Sequence, residues 1–183
     1  LAVGLACCLL IVLYVSDELS YDRYNAKADR IYRLNTDAKF GGRAVALAVT
    51  PDPLGPTLKR DYPQVEQFVR LRQRGAWLVR RGTMYVFDVF TLPFIAGNPK
   101  RALAEPNTVV ITESAAKRHF RNRNPLGQTL LMGDQPYRIT GLMRDMPANS
   151  HFRADIFPTM LNDDYQWGNW LSTNHYTYIV LKP

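Results

Sequence analysis

The chain opens on an uncharged apolar run, LAVGLACCLLIVLYV over residues 1–15, and turns polar at once through Ser16, Asp17, Glu18, Leu19, Ser20, Tyr21, Asp22, Arg23 and Tyr24. At about 1.5 Å per residue such a run covers roughly 22 Å, short of a hydrocarbon core of about 30 Å. Residue 1 is Leu and not Met, so the pattern predicts a membrane helix over residues 1–20 that extends upstream in the intact protein. Two other readings compete. A signal-peptide core needs a basic leader and a small-residue cleavage site, and Tyr14-Val15-Ser16-Asp17 is a poor one. A buried core helix is the second, since runs of this length are often core. Tyr14, Tyr21 and Tyr24 suit the aromatic belt of a membrane interface.

Beyond the run the periodicity changes repeatedly. From Tyr14 to Leu34 there is no Gly and no Pro, the residues that break helices most readily. Residues 21–34 are therefore expected to continue as helix or helical turns, with Tyr21, Tyr24, Ala28 and Ile31 as an apolar stripe that docks on the soluble part. Tyr32, Leu34 and Thr36 alternate as in a strand, Gly41-Gly42 marks a turn, and residues 44–49 read as the returning strand. Asp52 is placed to cap a helix with Pro53 and Pro56 in its first turn, an apolar stripe of Leu54, Leu58 and Tyr62, and Pro63 as its stop. Residues 65–79 read as strand with a turn at Gly75.

Residues 108–112, TVVIT, are a β-branched strand, and residues 113–120 a short helix capped by Thr112. Its Glu113 sits at the positive end and Lys117, Arg118 and His119 at the negative end. Residues 129–132, Gly133-Asp134 and residues 137–143 form a hairpin pattern, and residues 176–181 a last strand. Strands and helices interleave around hairpins, which makes the class α+β.

Composition narrows the function classes. Hydrophobic residues at 46% and charged residues at 21% are those of a globular protein. Cys7 and Cys8 are the only cysteines and lie inside the apolar run, so the polar part is no disulfide scaffold. The net charge of +7 is largely arginine. Arg70, Arg72 and Arg74 alternate with Leu71 and Gln73, which places three guanidiniums on one strand face. They are candidates for contacts to lipid headgroups or a partner protein, and otherwise a solvated face. Nucleic acid is not expected, because no stacking motif accompanies the basic stripe.

Catalytic patterns are absent from the sequence. His119, His151 and His175 are isolated, with no pair at metal-ligand spacing. No nucleophile elbow, Walker A loop or dinucleotide fingerprint occurs. Asp163-Asp164 are adjacent acids more often solvated than ligating, and Trp167 and Trp170 more often pack than form a ligand platform. His151 beside Asn149 and Ser150 is either polar catalytic apparatus or a loop-fixing hydrogen-bond network. No catalytic residue, metal or cofactor is expected.

Several segments in order resemble the extracytoplasmic domain of bacterial ABC transporter permeases of the MacB/FtsX-like family. They are the junction through Asp17-Glu18-Leu19-Ser20-Tyr21-Asp22-Arg23-Tyr24, then Ala28-Asp29-Arg30-Ile31-Tyr32-Arg33 and Phe87-Asp88-Val89-Phe90. Further along come Leu92-Pro93-Phe94, Glu105-Pro106-Asn107-Thr108, Asn124-Pro125-Leu126-Gly127 and Asp145-Met146-Pro147-Ala148-Asn149-Ser150-His151. Family members usually carry a longer segment where Gly82-Thr83-Met84-Tyr85-Val86 runs straight into Phe87. The resemblance implies a membrane helix over residues 1–20 and a periplasmic core domain over residues 21–183. That domain would hold a mixed, porter-like α/β lobe and a smaller β-rich lobe around residues 122–143. It implies a permease dimer or pseudo-dimer in the inner membrane, with residues after about 20 in the periplasm. ATP hydrolysis would fall to a separate cytoplasmic subunit, with a periplasmic adaptor and membrane lipid as further partners. A stalk of Asp17, Glu18, Tyr21, Asp22 and Tyr24 would carry helix motion outward.

Two other classes stand beside this one: the ectodomain of a membrane-anchored sensor or adhesion protein, and a tethered enzyme whose site gathers from distant segments. The membrane-helix reading has a direct check. In intact cells Cys7 and Cys8 are expected to resist a membrane-impermeant thiol reagent, while a cysteine placed at Asn35 reacts; rapid labelling of Cys7 and Cys8 would overturn the assignment.

Overall fold

A computed structural model describes residues 1–74, 77–79, 86–161 and 169–183, the side chains of residues 40, 73, 74 and 77–79 excepted. The turn expected at Gly75, the segment 82–85, Asp163, Asp164 and Trp167 lie outside the described residues. The apolar run forms α1, Ala2–Ser20, long and apolar enough to cross a membrane, with a mean hydropathy of 2.0 and none of it buried in the protein. That overturns the core-helix reading: an all-round apolar helix that no protein covers fits lipid as its surroundings.

The helix does not continue past Ser20. Asp22 turns the chain in the left-handed region, at φ 60°, a conformation that Asp tolerates better than most residues. The break thus needed neither Gly nor Pro. A turn and a single 3-10 turn, Ala28–Arg30, lead into β1, Ile31–Leu34. Next come the hairpin β2, Thr36–Phe40, and β3, Arg43–Leu47, then β4, Thr50–Pro51, and α2, Leu54–Asp61. The hairpin turn at Gly41-Gly42 uses φ of 55° and 82°, the left-handed pair that such a turn demands.

The remaining elements in chain order are β5, Val65–Arg74; β6, Trp77–Val79; α3, Val86–Val89; β7, Phe94–Gly97; and β8, Thr108–Thr112. They are followed by α4, Glu113–Phe120; β9, Thr129–Met132; β10, Gln135–Met143; β11, Ile156–Pro158; and β12, Thr173–Leu181. Among the described residues the strands form one ten-stranded path ordered β1-β12-β5-β6-β11-β8-β10-β7, with β4 beside β12 and β9 beside β10. The β2–β3 hairpin stands as a separate two-stranded sheet. Parallel pairing of β8 with β10 brackets α4, a crossover unit inside an otherwise mostly antiparallel sheet.

β8 is buried along its whole length because both its faces are covered. Val110 belongs to a large apolar cluster with Leu71, Phe90, Phe157, Tyr178 and Val180. Its neighbours Val109 and Ile111 point the other way, into a second cluster with Ala115, Leu130, Met132 and Ile139. The period of two in a strand thus splits one short segment between two cores. The second core is closed by α4, whose N-terminus is capped as expected: Thr112 Oγ1 accepts from the Ala115 amide at 3.2 Å.

The α2 start differs from expectation. Its N-cap is Pro53, with no side-chain cap, and Asp52 is fully buried instead. Gly97 closes β7 against Gly141 at φ 94°, where an added Cβ would lie 2.5 Å from the Thr140 carbonyl oxygen. Gly97→Ala is expected to lower unfolding stability by about 3 kcal/mol in urea titrations of the micelle-bound chain. Gly41→Ala has a comparable φ of +55° but nothing within 4 Å, so it should cost only about 1 kcal/mol.

Candidate functional site at the membrane junction

A helix leaves its last carbonyls without helical partners. Here a loop from the far end of the chain supplies them. Asn149 Nδ2 donates to the Ser20 carbonyl at 2.9 Å and approaches Ser20 Oγ at 3.2 Å. The Asp22 amide donates back to the Asn149 carbonyl at 2.9 Å. The left-handed turn at Asp22 aims its carboxylate at the same loop, where Oδ1 accepts from the His151 amide at 3.2 Å and Oδ2 lies 2.6 Å from His151 Nδ1. Tyr24 OH meets Ser150 Oγ at 2.9 Å.

Deeper in, Asn25 is buried and exchanges bonds with Thr91. Its Oδ1 accepts from the Thr91 amide at 2.9 Å, and the Ala26 amide donates to Thr91 Oγ1 at 2.8 Å. Lys27 and Arg30 both reach Glu66 on β5, at 2.8 and 2.7 Å, and Arg30 also donates to the Leu181 carbonyl at 2.9 Å. The Lys27 ammonium and then the Arg30 guanidinium hold the Glu66 carboxyl below its ordinary value.

The imidazole of His151 continues the chain of contacts: Nε2 lies 2.6 Å from the hydroxyl of Tyr178 on β12. A carboxylate only accepts, so Nδ1 carries the proton toward Asp22. In the neutral ring Nε2 then accepts, and Tyr178 donates. Burial pushes the Tyr178 hydroxyl well above its ordinary value, which keeps that proton in place. Burial likewise raises Tyr24, against the opposing Ser150 bond. A cavity of about 320 Å³ opens beside these groups, lined among others by Asp22, Arg33, Phe90, His151 and Tyr178.

The stalk residues read from sequence thus divide. Asp22 and Tyr24 join the loop. Asp17 and Glu18 lie in the last turns of α1, and Tyr21 remains 40% exposed. Of the expected apolar stripe, Ile31 packs against the large apolar cluster, Tyr24 bonds to Ser150 and Tyr21 stays exposed; hydrogen bonds supply the rest of the docking. The loop partners Asn149, Ser150 and His151 were visible in the sequence only as a polar cluster, with nothing to say what they grip.

The arginine stripe is corrected more fully. Arg70 is only 9% exposed, its guanidinium donates to the Asp52 carbonyl, and it lies over the Phe68 ring at 5.8 Å. Arg72 is half-buried, and Arg74 ends the same strand. The physical reason is that α2 packs on β5, so Arg70 and Arg72 are turned into the protein and not toward headgroups or solvent. Those guanidiniums stand near Asp52, whose carboxyl burial raises and whose charge Arg70 and Arg72 favour. His175 Nδ1 lies 2.6 Å from Asp52 Oδ1, both side chains fully buried. Burial lowers His175 to about 4, so its imidazole is neutral near pH 7.

An apolar helix long enough to cross a membrane leads through a hydrogen-bonded turn into a mixed sheet. The chain belongs to the family of the MacB-like periplasmic core domain, which matches it over residues 1–183. A domain of a Porphyromonas gingivalis permease protein shares the fold with a TM-score of 0.73 at 22% identity, over 88% of this chain and 76% of that one. The periplasmic region of MacB from Actinobacillus actinomycetemcomitans gives 0.52 at 17% identity, over 85% and 76%. The extracellular domain of the noncanonical ABC-type transporter YknZ from Gram-positive bacteria gives 0.54 at 16%, over 84% and 83%. In sequence, 59 residues are 39% identical to the macrolide export ATP-binding/permease protein MacB of Aggregatibacter actinomycetemcomitans, which is 30% of this chain and 9% of that protein. The chain therefore matches only a small fraction of that relative's length.

The junction makes its own prediction. Asp22→Ala loses the His151 bonds and forces a left-handed alanine, and should lower unfolding stability by about 2 to 3 kcal/mol. Asp22→Gly keeps the backbone free and should lose about 1 kcal/mol less; equal losses in urea titration would mean that the turn carries no strain.

Proposed function

We propose that this chain is the periplasmic domain of an ABC transporter permease subunit in the inner membrane, and that it relays ATP-driven motion of the membrane helices to a substrate or partner outside. ATP hydrolysis belongs to a separate cytoplasmic subunit, and the domain itself is non-catalytic. Family membership supports the permease reading. The observation that carries the relay is the seam between Ser20 and Asp22 and the loop at residues 149–151. A passive tether needs no such seam. A lever does, because movement of α1 reaches the sheet only if the helix end is fixed to it.

At roughly 1 kcal/mol net per hydrogen bond, the bonds from Ser20, Asp22, Tyr24 and Asn25 together contribute several kcal/mol against local opening. They connect α1 to β12 through His151, and the neighbouring Lys27 and Arg30 add β5 through Glu66, the two strands at the middle of one half of the sheet. The two apolar clusters on either side of β8 support a division into a porter-like lobe and a smaller lobe that includes the β9–β10 hairpin. A dimeric permease, a periplasmic adaptor and surrounding lipid are the partners this arrangement suits.

The experiment decouples helix from seam in the full-length permease with its ATP-binding subunit. A Gly-Gly-Ser-Gly insertion after Leu19, just before the clamped residues, is expected to leave membrane insertion and ATPase expression intact and to abolish transport. The same insertion between Gly41 and Gly42, in the free hairpin turn, should leave transport unchanged. Normal transport by the Leu19 insertion variant would make the domain a passive docking module.

A further inference from the structure

Among the described residues the β2–β3 hairpin stands outside the ten-stranded path, as a two-stranded sheet of its own. Its strands pack chiefly on each other, and Asp37, Lys39, Arg43, Ala44, Val45 and Ala46 are all exposed. Two strands alone are marginal in water; further strands and a shared apolar face are what stabilise such a unit. β2 follows β1, the outermost strand of the large sheet, with Asn35 between them, so the hairpin is held out at the flank of the domain. We propose that the hairpin is a dimerisation arm: the outer edge of β2 pairs, antiparallel and about a two-fold axis, with the same edge in a second copy of this chain. The proposal rests on the dimeric permease reading above and deepens it by naming the surface that joins the copies.

The hydrogen-bonding phase of the hairpin decides which groups are free. Phe40 and Arg43 are partners across the two-residue turn, followed by Lys39 with Ala44, Ala38 with Val45 and Asp37 with Ala46. The pair that closes a two-residue turn is hydrogen-bonded, and bonded and non-bonded pairs then alternate down an antiparallel ladder. Ala38 therefore directs its amide and carbonyl at β3. Those of Asp37 and Lys39 point out of the hairpin on the other side.

A two-fold axis through this edge can pass by Asp37, Ala38 or Lys39. Centred on Asp37 it sets that carboxylate opposite its own copy, and centred on Lys39 it does the same with two ammonium groups; like charges directly opposite destabilise a sheet. Centred on Ala38 it sets Asp37 opposite the partner's Lys39, and Lys39 opposite the partner's Asp37. That register closes main-chain hydrogen bonds on both sides of the axis and adds an opposite-charge pair on each. Ala38 then meets its own copy in a non-hydrogen-bonded pair, where strands approach most closely and a methyl group fits. Its cross-strand neighbour Val45 is 40% exposed, so pairing merges two small apolar faces into one wider sheet. The edge of β3 has no such match. Its outward groups belong to Ala44 and Ala46, and a two-fold axis at Val45 would set Arg43 opposite the partner's Leu47. Charges on an edge strand commonly guard it against pairing, but a guard has no need of a sequence whose charges complement each other about their own centre.

The test uses the intact protein in membrane vesicles, carrying Cys7→Ser and Cys8→Ser and no other cysteine. Ala38→Cys lies on the axis and is expected to form a disulfide between two copies on mild oxidation. Val45→Cys, the centre of the β3 alternative, is expected to remain uncrosslinked. Asp37→Lys or Lys39→Asp, each added to Ala38→Cys, sets like charges opposite and should slow the cross-link about tenfold. The double swap of Asp37→Lys with Lys39→Asp restores both pairs and should return the original rate. Maleimide labelling of the reduced thiol, equal in every variant, verifies that the hairpin is reachable throughout. An Ala38→Cys variant that labels but does not cross-link overturns the arm and leaves Asp37 and Lys39 as guards of a free edge. Faster cross-linking at Val45→Cys overturns it in favour of β3, and a double swap no faster than the single variants overturns the charge register on which it stands. The readout needs neither transport nor the ATP-binding subunit. A Leu19 insertion variant that transports therefore rejects the relay and leaves the arm standing.

Discussion

The left-handed turn at Asp22 is the constraint on which the junction depends. It ends α1 one residue after the helix caps, and it points one carboxylate at a loop that is 129 residues further along the chain. The loop is itself held. The Ser150 amide bonds to the Pro147 carbonyl, and behind it Phe152 packs edge-on against Phe90 at 4.9 Å while Phe90 meets Tyr178 at 5.1 Å. A polar seam thus rests on an aromatic floor, where packing geometry fixes what the hydrogen bonds then use.

β12 gathers the molecule around that floor. It pairs with β1, β4 and β5, presents Tyr178 to the junction, and on its other face carries His175 into the buried group with Asp52 and Arg70. The same strand therefore serves a half-wet polar site and a dry one. In the dry site, burial keeps the imidazole neutral and a carboxylate is matched by guanidiniums. Breaking such a group by removing one partner is costly, which makes it structural glue between α2 and the sheet.

Local patterns were legible in the sequence wherever a single element decides the outcome. The all-apolar run, the TVVIT strand with its Thr112 cap and the two glycine hairpin turns have short-range causes, and the structure contains them. What escaped was set by tertiary contact. The break after Ser20 has no Gly or Pro and rests on Asp22 accepting from a distant loop. Asp52 looked like a cap because its spacing suits one, yet the burial of His175 and Arg70 gave its carboxylate another use. Alternation put Arg70 and Arg72 on one face of a strand; it could not say that α2 packs on that strand. Short strands such as β7 and β11 exist only because longer neighbours pair with them.

Because Asp22, His151 and Tyr178 are so far apart in sequence, their meeting is the kind of non-local contact that forms late in folding. α1 can enter a membrane and form its own hydrogen bonds long before β12 is in place. Until the last strand docks, the helix is an anchor with nothing rigid on its end. The seam is in this sense a certificate of assembly: α1 is tied to the sheet only in a chain whose loop at residues 149–151 and β12 are both in place.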